Sequence, residues 1–324
     1  MKRGLVIGKF LPIHHGHIAL IDFAASQCDE VIVSMSDQRG DAIDPELRFD
    51  WIKDIFKDNN RIKPNRLHDD FDDESLELEA RMKLWADVIR MHYPDVHILF
   101  SSESYGEPLG RHLGVEHKLF DIDRIKIPVA ASLIRKHPFR YWDFIPEVVR
   151  PFFVKKICFY GPESTGKSSM AIRMAEKYNT EFVPEVAREM IITNDFDVDD
   201  IIRIGEGQTQ RVIDKMKAAN KLLFCDTDLI TTEIYSKHYL NVIPPILIEL
   251  ERQLKYDLYL LMDIDVPWIP DGLRDLGDKR EEMLAIFRKE LETRNIDYVL
   301  IQGDPEERQR RITEAIDKLI SRYS

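Results

Sequence analysis

Two short segments carry side chains whose types and spacing suit phosphate chemistry. The first is Gly161-Pro162-Glu163-Ser164-Thr165-Gly166-Lys167-Ser168, followed by Ser169, placed directly after the apolar run KKICFY and before a helical pattern. It fits G-x-x-x-x-G-K-[ST], a loop that cradles nucleoside triphosphates. A polyphosphate needs many donors and little side-chain bulk. The glycines let backbone amides wrap the β-phosphate, the next helix aims free N–H groups at it, Lys167 reaches the β- and γ-phosphates, and Ser168 ligates Mg²⁺. The second segment, Gly8-Lys9-Phe10-Leu11-Pro12-Ile13-His14-His15-Gly16-His17, also follows a strand pattern. His14 and His17 stand three apart at a helix start, which puts both imidazoles on one face near an anion-favouring N-terminus, with Gly16 permitting close approach. A zinc pair lacks a third ligand at a suitable spacing.

Other side chains extend the second-half site. Asp226 and Asp228 end the run KLLFCDTD, where a parallel sheet presents its ligands. Either can hold Mg²⁺ through water, or cap the next helix instead. Glu185, in FVPEVAREM, is placed to hold or deprotonate a substrate hydroxyl, or to pair with Arg188. The stretch WIPDGLRDLGDKR reads as a loop-like lid in which Arg274 and Arg280 meet charge spreading over the γ-phosphate. The acidic run Asp69 to Glu79 reads most simply as a solvated loop and helix start.

These segments need rigid supports, and the periodicity supplies them. Strand-like runs cover Gly4 to Gly8, Val31 to Met35 and His97 to Phe100, then Lys156 to Tyr160, Leu222 to Cys225, Leu258 to Met262 and Tyr298 to Ile301. Helical stretches, such as Ser75 to Met91, Ser168 to Tyr178, Val198 to Ala219 and Arg280 to Arg294, lie between strands, which implies parallel sheets. The expectation is α/β, two doubly wound parallel-sheet domains over residues 1–152 and 153–324, divided at the proline-rich HPFRYWDFIPEVVRP. The 324-residue chain has 46 Lys+Arg against 58 Asp+Glu, a net charge of −12. The halves carry 21 basic against 26 acidic residues (1–153) and 25 against 32 (154–324), so neither reads as a basic nucleic-acid module. Anionic ligands then require local cationic pockets. No run approaches the length of an apolar membrane span, and the N-terminus enters a strand without a signal-peptide pattern, so a cytoplasmic protein with no membrane partner is expected. Cys28, Cys158 and Cys225 read as buried thiols.

The residues also carry a family resemblance. G-K-F-x-P-x-H-x-G-H resembles the first motif of the nucleotidylyltransferase superfamily, whose Rossmann-like domain transfers a nucleotidyl group from ATP. The superfamily's second motif, I-S-x-T-x-x-R, aligns with Val129-Ala130-Ala131-Ser132-Leu133-Ile134-Arg135. Arg135 stands at the motif arginine, Ser132 replaces the threonine, and Ala130 lacks a hydroxyl. That domain followed by a P-loop kinase, with HPFRYWDFIP, PEVAR and WxxDGLRD, resembles the NadR family of bifunctional nicotinamide mononucleotide (NMN) adenylyltransferases and nicotinamide riboside kinases. Some members carry a helix-turn-helix ahead of the first domain. Here the first strand begins at residue 4, so no nucleic-acid role is expected.

The resemblance implies ATP as co-substrate at both sites, Mg²⁺, and the small-molecule partners nicotinamide riboside, NMN and NAD⁺. In the second half, Lys167 and the loop amides would bind phosphate, Ser168 and Asp226 the metal, and Glu185 the ribose. Arg274 and Arg280 would meet the migrating charge, while Asp228, Trp268 and Asp271 would contact substrate, with Trp268 stacked on the cationic pyridinium. In the first half, Lys9, His14, His17, Ser132 and Arg135, with Gly8 and Phe10, would position ATP and the attacking NMN phosphate. Two rivals stay open: a fused pantetheine-phosphate adenylyltransferase and dephospho-CoA kinase, and a nucleotide-sensing regulator with one inactive site. Nothing in the residues selects between a monomer and a homo-oligomer.

Overall fold

The computed structural model describes residues 1–191, 195–270 and 274–324. The chain divides into two compact units, Met1–Arg150 and Pro151–Ser324, each built on one five-stranded parallel sheet. The first unit runs β1 Arg3–Gly8, α1 His15–Ala25, β2 Glu30–Asp37, α2 Pro45–Phe56, β3 Ile62–His68, α3 Leu78–His92, β4 Ile98–Ser101, α4 Gly106–Leu113, β5 Glu116–Leu119 and α5 Ala131–Lys136. The second runs β6 Lys155–Tyr160, α6 Lys167–Lys177, β7 Glu181–Val183, α7 Ala187–Met190, α8 Val198–Ala218, β8 Leu222–Asp226, α9 Leu229–Leu240 and α10 Pro245–Gln253. It closes with β9 Leu258–Met262, α11 Arg280–Thr293, β10 Tyr298–Ile301 and α12 Pro305–Ser321.

Strand order is β3-β2-β1-β4-β5 in the first sheet and β10-β9-β6-β8-β7 in the second, all pairs parallel. In each, the strand that opens the unit lies at the centre, and the chain doubles back to its other side. Such a reversal opens a crevice at the carboxyl ends of the strands, where ligands of open α/β sheets bind. Both phosphate-suited segments leave those ends.

The central strands are apolar because they are covered on both faces. Leu5 and Leu99 pack with Trp85 and Ile89 of α3, and Tyr160 and Leu261 with Phe287 of α11. Three strands escape the sequence pattern: β3, β5 and β7. Their sequences, IKPNRLH, EHKL and EFV, lie at sheet edges or are very short, so burial on one face only, or over few residues, leaves no apolar run. Pro64 fits β3 because an edge strand spares an N–H. Helix starts are fixed locally: Asp44 caps α2 ahead of Pro45, Asp197 and Asp200 form a capping box on α8, and Asp304 caps α12 ahead of Pro305. Cys28, Cys158 and Cys225 are buried and unbridged. Among the described residues, no helix is long and apolar enough to cross a membrane.

Candidate functional site

In the first unit, the segment after β1 turns through Phe10, whose φ is 45°, and a cis Leu11–Pro12 bond before entering α1. His14 is the N-cap of α1. Its Nδ1 accepts the amides of Gly16 at 3.1 Å and His17 at 3.4 Å. That bonding leaves the proton on Nε2 and makes His14 a neutral donor. A Cβ at residue 16 would stand 3.0 Å from the His14 ring, which accounts for glycine there. The His14 and His17 rings stack with centroids 3.7 Å apart, and Phe10 meets His17 edge-on at 5.0 Å. Burial pushes both imidazoles well below their ordinary pKa, His17 to about 3; the neighbouring His17 and Arg124 charges add to the effect on His14, and Arg124 to that on His17. Both rings are neutral at physiological pH, so they donate hydrogen bonds rather than act as charges.

These rings face a cavity of about 530 Å³ lined also by Gly8, Lys9, Phe10, Ser132 and Arg135. Arg135 donates to the Leu11 carbonyl, tying α5 to the turn after β1. Lys9 lies 3.5 Å from Glu74. Ala130 is the N-cap of α5 and supplies no side-chain cap. Arg124, Asp72, Arg81 and Trp85 line the same cavity and were not expected there. The acidic run is in large part the exposed loop and helix start expected, with Asp73, Glu74, Glu77 and Glu79 exposed and α3 beginning at Leu78, but two of its carboxylates turn inward. Asp69 is fully buried, and Asp72 accepts hydrogen bonds from Arg81 and from Trp85 Nε1 at 2.8 Å. Asp72 turns inward because its counter-ion, Arg81, sits in the first turn of α3, just beyond the run.

In the second unit, the loop from Gly161 to Gly166 joins β6 to α6. Gly161 (φ 135°), Ser164 (φ 56°) and Gly166 (φ 82°) take left-handed backbone, and a Cβ on Gly161 would meet the Met262 carbonyl at 2.9 Å. Thr165 Oγ1 donates to the Pro162 carbonyl at 2.9 Å. Lys167 Nζ reaches back to the carbonyls of Gly161 and Pro162 at 2.8 and 2.7 Å, while Ser168 and the exposed Ser169 open α6. Burial pushes the Lys167 ammonium below its ordinary pKa against the pull of Asp226 and Glu185. Burial likewise pushes the Glu185 carboxyl up against the pull of Lys167. Lys167, Glu185 and Asp226 are therefore brought within one another's fields. Glu185 also accepts from Arg188 Nε at 3.0 Å.

The two aspartates after β8 separate cleanly. Asp228 caps α9: its Oδ1 accepts Thr231 N and Oγ1 at 2.9 and 3.0 Å, and its Oδ2 accepts the Tyr259 hydroxyl at 2.9 Å. Its oxygens are engaged within the fold, so the helix-cap reading replaces the substrate contact. Asp226 is 2% exposed and its Oδ1 has no hydrogen-bond partner. That orphaned oxygen beside Lys167 suits a magnesium ion shared with Ser168. Among the described residues there is no cluster of three or more side chains able to hold a metal, and Mg²⁺ characteristically takes one or two carboxylates plus substrate phosphates.

Around the segment expected to act as a lid, Arg280 donates to Val266 O at 2.8 Å and to Ser164 O at 3.4 Å, and its guanidinium sits 5.8 Å from the Trp268 ring centroid. Glu163 and Pro162 adjoin that Trp268–Arg280 pair. Arg274 donates to Ile269 O at 2.6 Å. Asp271 lies outside the described residues. Arg308 of α12, also unexpected, is buried against the phosphate loop and donates to the Thr165 carbonyl at 2.8 Å. Its signal was present in the helix period, since residue 308 falls on the stripe of Ile312, Ile316 and Leu319.

Comparison with known proteins agrees with two separate nucleotide-handling units. A family model described as Cytidylyltransferase-like matches residues 5–152, and one described as AAA domain matches residues 156–308. The chain is 32% identical over 327 residues to the Trifunctional NAD biosynthesis/regulator protein NadR of Escherichia coli, covering 93% of this chain and 79% of that protein. Among solved structures, a NadR protein in complex with NR superposes with TM-score 0.83 at 24% identity, covering 98% of this chain and 95% of that one. Another NadR protein, in complex with NAD and AMP-PNP, gives the same score and identity, covering 99% and 96%.

Proposed function

Because the chain belongs to the NadR family, we propose that it makes NAD⁺ in two steps at two sites. The second unit phosphorylates the 5′-hydroxyl of nicotinamide riboside from ATP, giving NMN and ADP. The first unit lets the NMN phosphate attack the ATP α-phosphorus, giving NAD⁺ and pyrophosphate. The carrying observation is one phosphate-suited site per unit, each at the carboxyl end of the strand that opens its sheet. The ligands of the two solved neighbours fit this scheme: NR is its first substrate, NAD its product and AMP-PNP an analogue of its ATP.

In the kinase unit the loop amides and Lys167 bind the triphosphate. A magnesium ion held by Ser168 and Asp226 would neutralise charge on the phosphates. Glu185 orients the riboside and takes the hydroxyl proton, a task helped by the burial that raises its carboxyl above the ordinary carboxylate pKa. Arg274 and Arg280 close over the γ-phosphate, with Trp268 against the pyridinium. In the adenylyltransferase unit the attacking phosphate is already ionised, so no general base is needed. His14 and His17 donate to phosphate as neutral rings, while Lys9, Ser132 and Arg135 supply the rest of the cradle.

The test is product chromatography after the full chain is incubated with MgATP and nicotinamide riboside. NMN followed by NAD⁺ supports the reading. Turnover of dephospho-CoA and pantetheine phosphate, with nicotinamide riboside untouched, would replace it with the coenzyme A alternative.

A further inference from the structure

Arg308 is a buried cation on α12, far along the chain from the Gly161–Gly166 loop, and it is 2% exposed. A buried guanidinium is tolerated only when its donors are met. Here Nε donates to Gly303 O at 3.0 Å, Nη1 to Thr165 O at 2.8 Å, and Nη2 to Asp263 O at 2.8 Å and to the Asp265 carboxylate. Asp265 in turn accepts the Gly303 amide at 2.6 Å. One side chain thus joins the phosphate loop, the exit of β9 and the exit of β10.

The contact with Thr165 has a geometric consequence for the loop. A peptide unit is planar and trans, so its C=O and its N–H point in opposite directions. Holding the Thr165 carbonyl on Arg308 directs the Gly166 amide to the opposite side, towards the phosphate cradle. Arg280 does the same one residue earlier, since its bond to Ser164 O orients the Thr165 amide. The partners of Arg308 at Asp263 and Asp265 lead directly into Val266, whose carbonyl accepts Arg280, and Ile269, whose amide donates to Ser164 Oγ at 2.8 Å. The base of the lid and the loop's amides are therefore set by one shared pair of arginines.

We propose that Arg308 is a positioning residue for phosphoryl transfer: it fixes the phosphate-loop amides and the base of the lid in register, without touching substrate. The proposal rests on the kinase reading of the second unit. The test uses the full chain with Arg308→Gln, Arg308→Lys and Asp265→Asn, assaying nicotinamide riboside phosphorylation against NMN adenylylation in the same preparation. Losing a charge-assisted bond to the loop is expected to raise KM for ATP about tenfold in Arg308→Gln, with KM for the riboside within about twofold. Lysine, a single point donor, should restore only part of it, and adenylylation should stay unchanged. A KM for ATP within about twofold of wild type, or a fall in kcat alone, overturns the proposal. Should Arg308→Gln fail to fold, Asp265→Asn decides, with a KM rise of about threefold expected and an unchanged value overturning it. If the wild type phosphorylates no riboside, the substrate reading has failed but this proposal has not. It is then read from calorimetric binding of AMP-PNP with magnesium, counting only the binding that Lys167→Ala removes. Arg308→Gln should weaken that component about tenfold, and equal affinity overturns the proposal.

Discussion

His14 and His17 stack at 3.7 Å with the Nδ1 of His14 bonded to backbone amides, which makes the pair a neutral, rigid donor platform at the start of α1. A phosphate site on an acidic chain needs cationic or neutral donors concentrated where the ligand lies. The pair supplies neutral ones, and Lys9, Arg124 and Arg135 the charge around them.

This platform gives the first unit an acid sensitivity of defined sign. Both imidazoles have folded pKa values below the unfolded value near 6.5, so below that pH the unfolded chain binds more protons and stability falls as pH drops towards about 3. The limiting slope is about 1.4 kcal/mol per pH unit for each fully protected ring, and less for His17, which is partly exposed. Denaturant unfolding of wild type and His14→Asn between pH 7 and pH 5 checks this. The variant should lose less stability across that interval, and equal losses would contradict the assignment.

The two aspartates after β8 should respond in opposite ways. Asp228→Ala removes a helix cap and the acceptor of the Tyr259 hydroxyl, costing about 2–3 kcal/mol of stability in the second unit. Asp226→Asn should leave the unfolding midpoint close to wild type while cutting riboside phosphorylation at least about a hundredfold. Thermal scans and initial rates on both variants decide it. A destabilised Asp226→Asn with normal turnover would reverse the roles.

Ala130 sits at the N-cap of α5 with φ −134° and ψ 148°, a backbone that serine adopts without strain. Ala130→Ser should raise stability by about 0.5–1 kcal/mol through the missing cap. If the hydroxyl also reaches phosphate, KM for ATP in adenylylation falls. An unchanged denaturation midpoint would show that the hydroxyl finds no partner.

The sheets and both loops were legible because each loop follows a buried central strand, where apolar patterning is strongest, and because phosphate binding restricts residue types locally. The edge strands β3 and β7 were not, since a polar or three-residue strand carries no period. The partners of the loops were hidden for a different reason. Asp72, Arg81 and Arg308 look like surface charges until the fold brings their counter-ions and carbonyls to them. Asp226 and Asp228 share one run in the sequence, and only the bonds to Thr231 and Tyr259 tell the cap from the metal candidate.

If the two activities reside in separate units of one chain, each can be silenced without the other. The decisive measurement is NAD⁺ formation from nicotinamide riboside and MgATP by Lys167→Ala, by His17→Ala, and by the two variants mixed. We expect Lys167→Ala to make NAD⁺ from NMN but not from the riboside, His17→Ala to stop at NMN, and the mixture to restore NAD⁺. NAD⁺ from the riboside with Lys167→Ala alone would mean that the second unit's phosphate loop is not the kinase site.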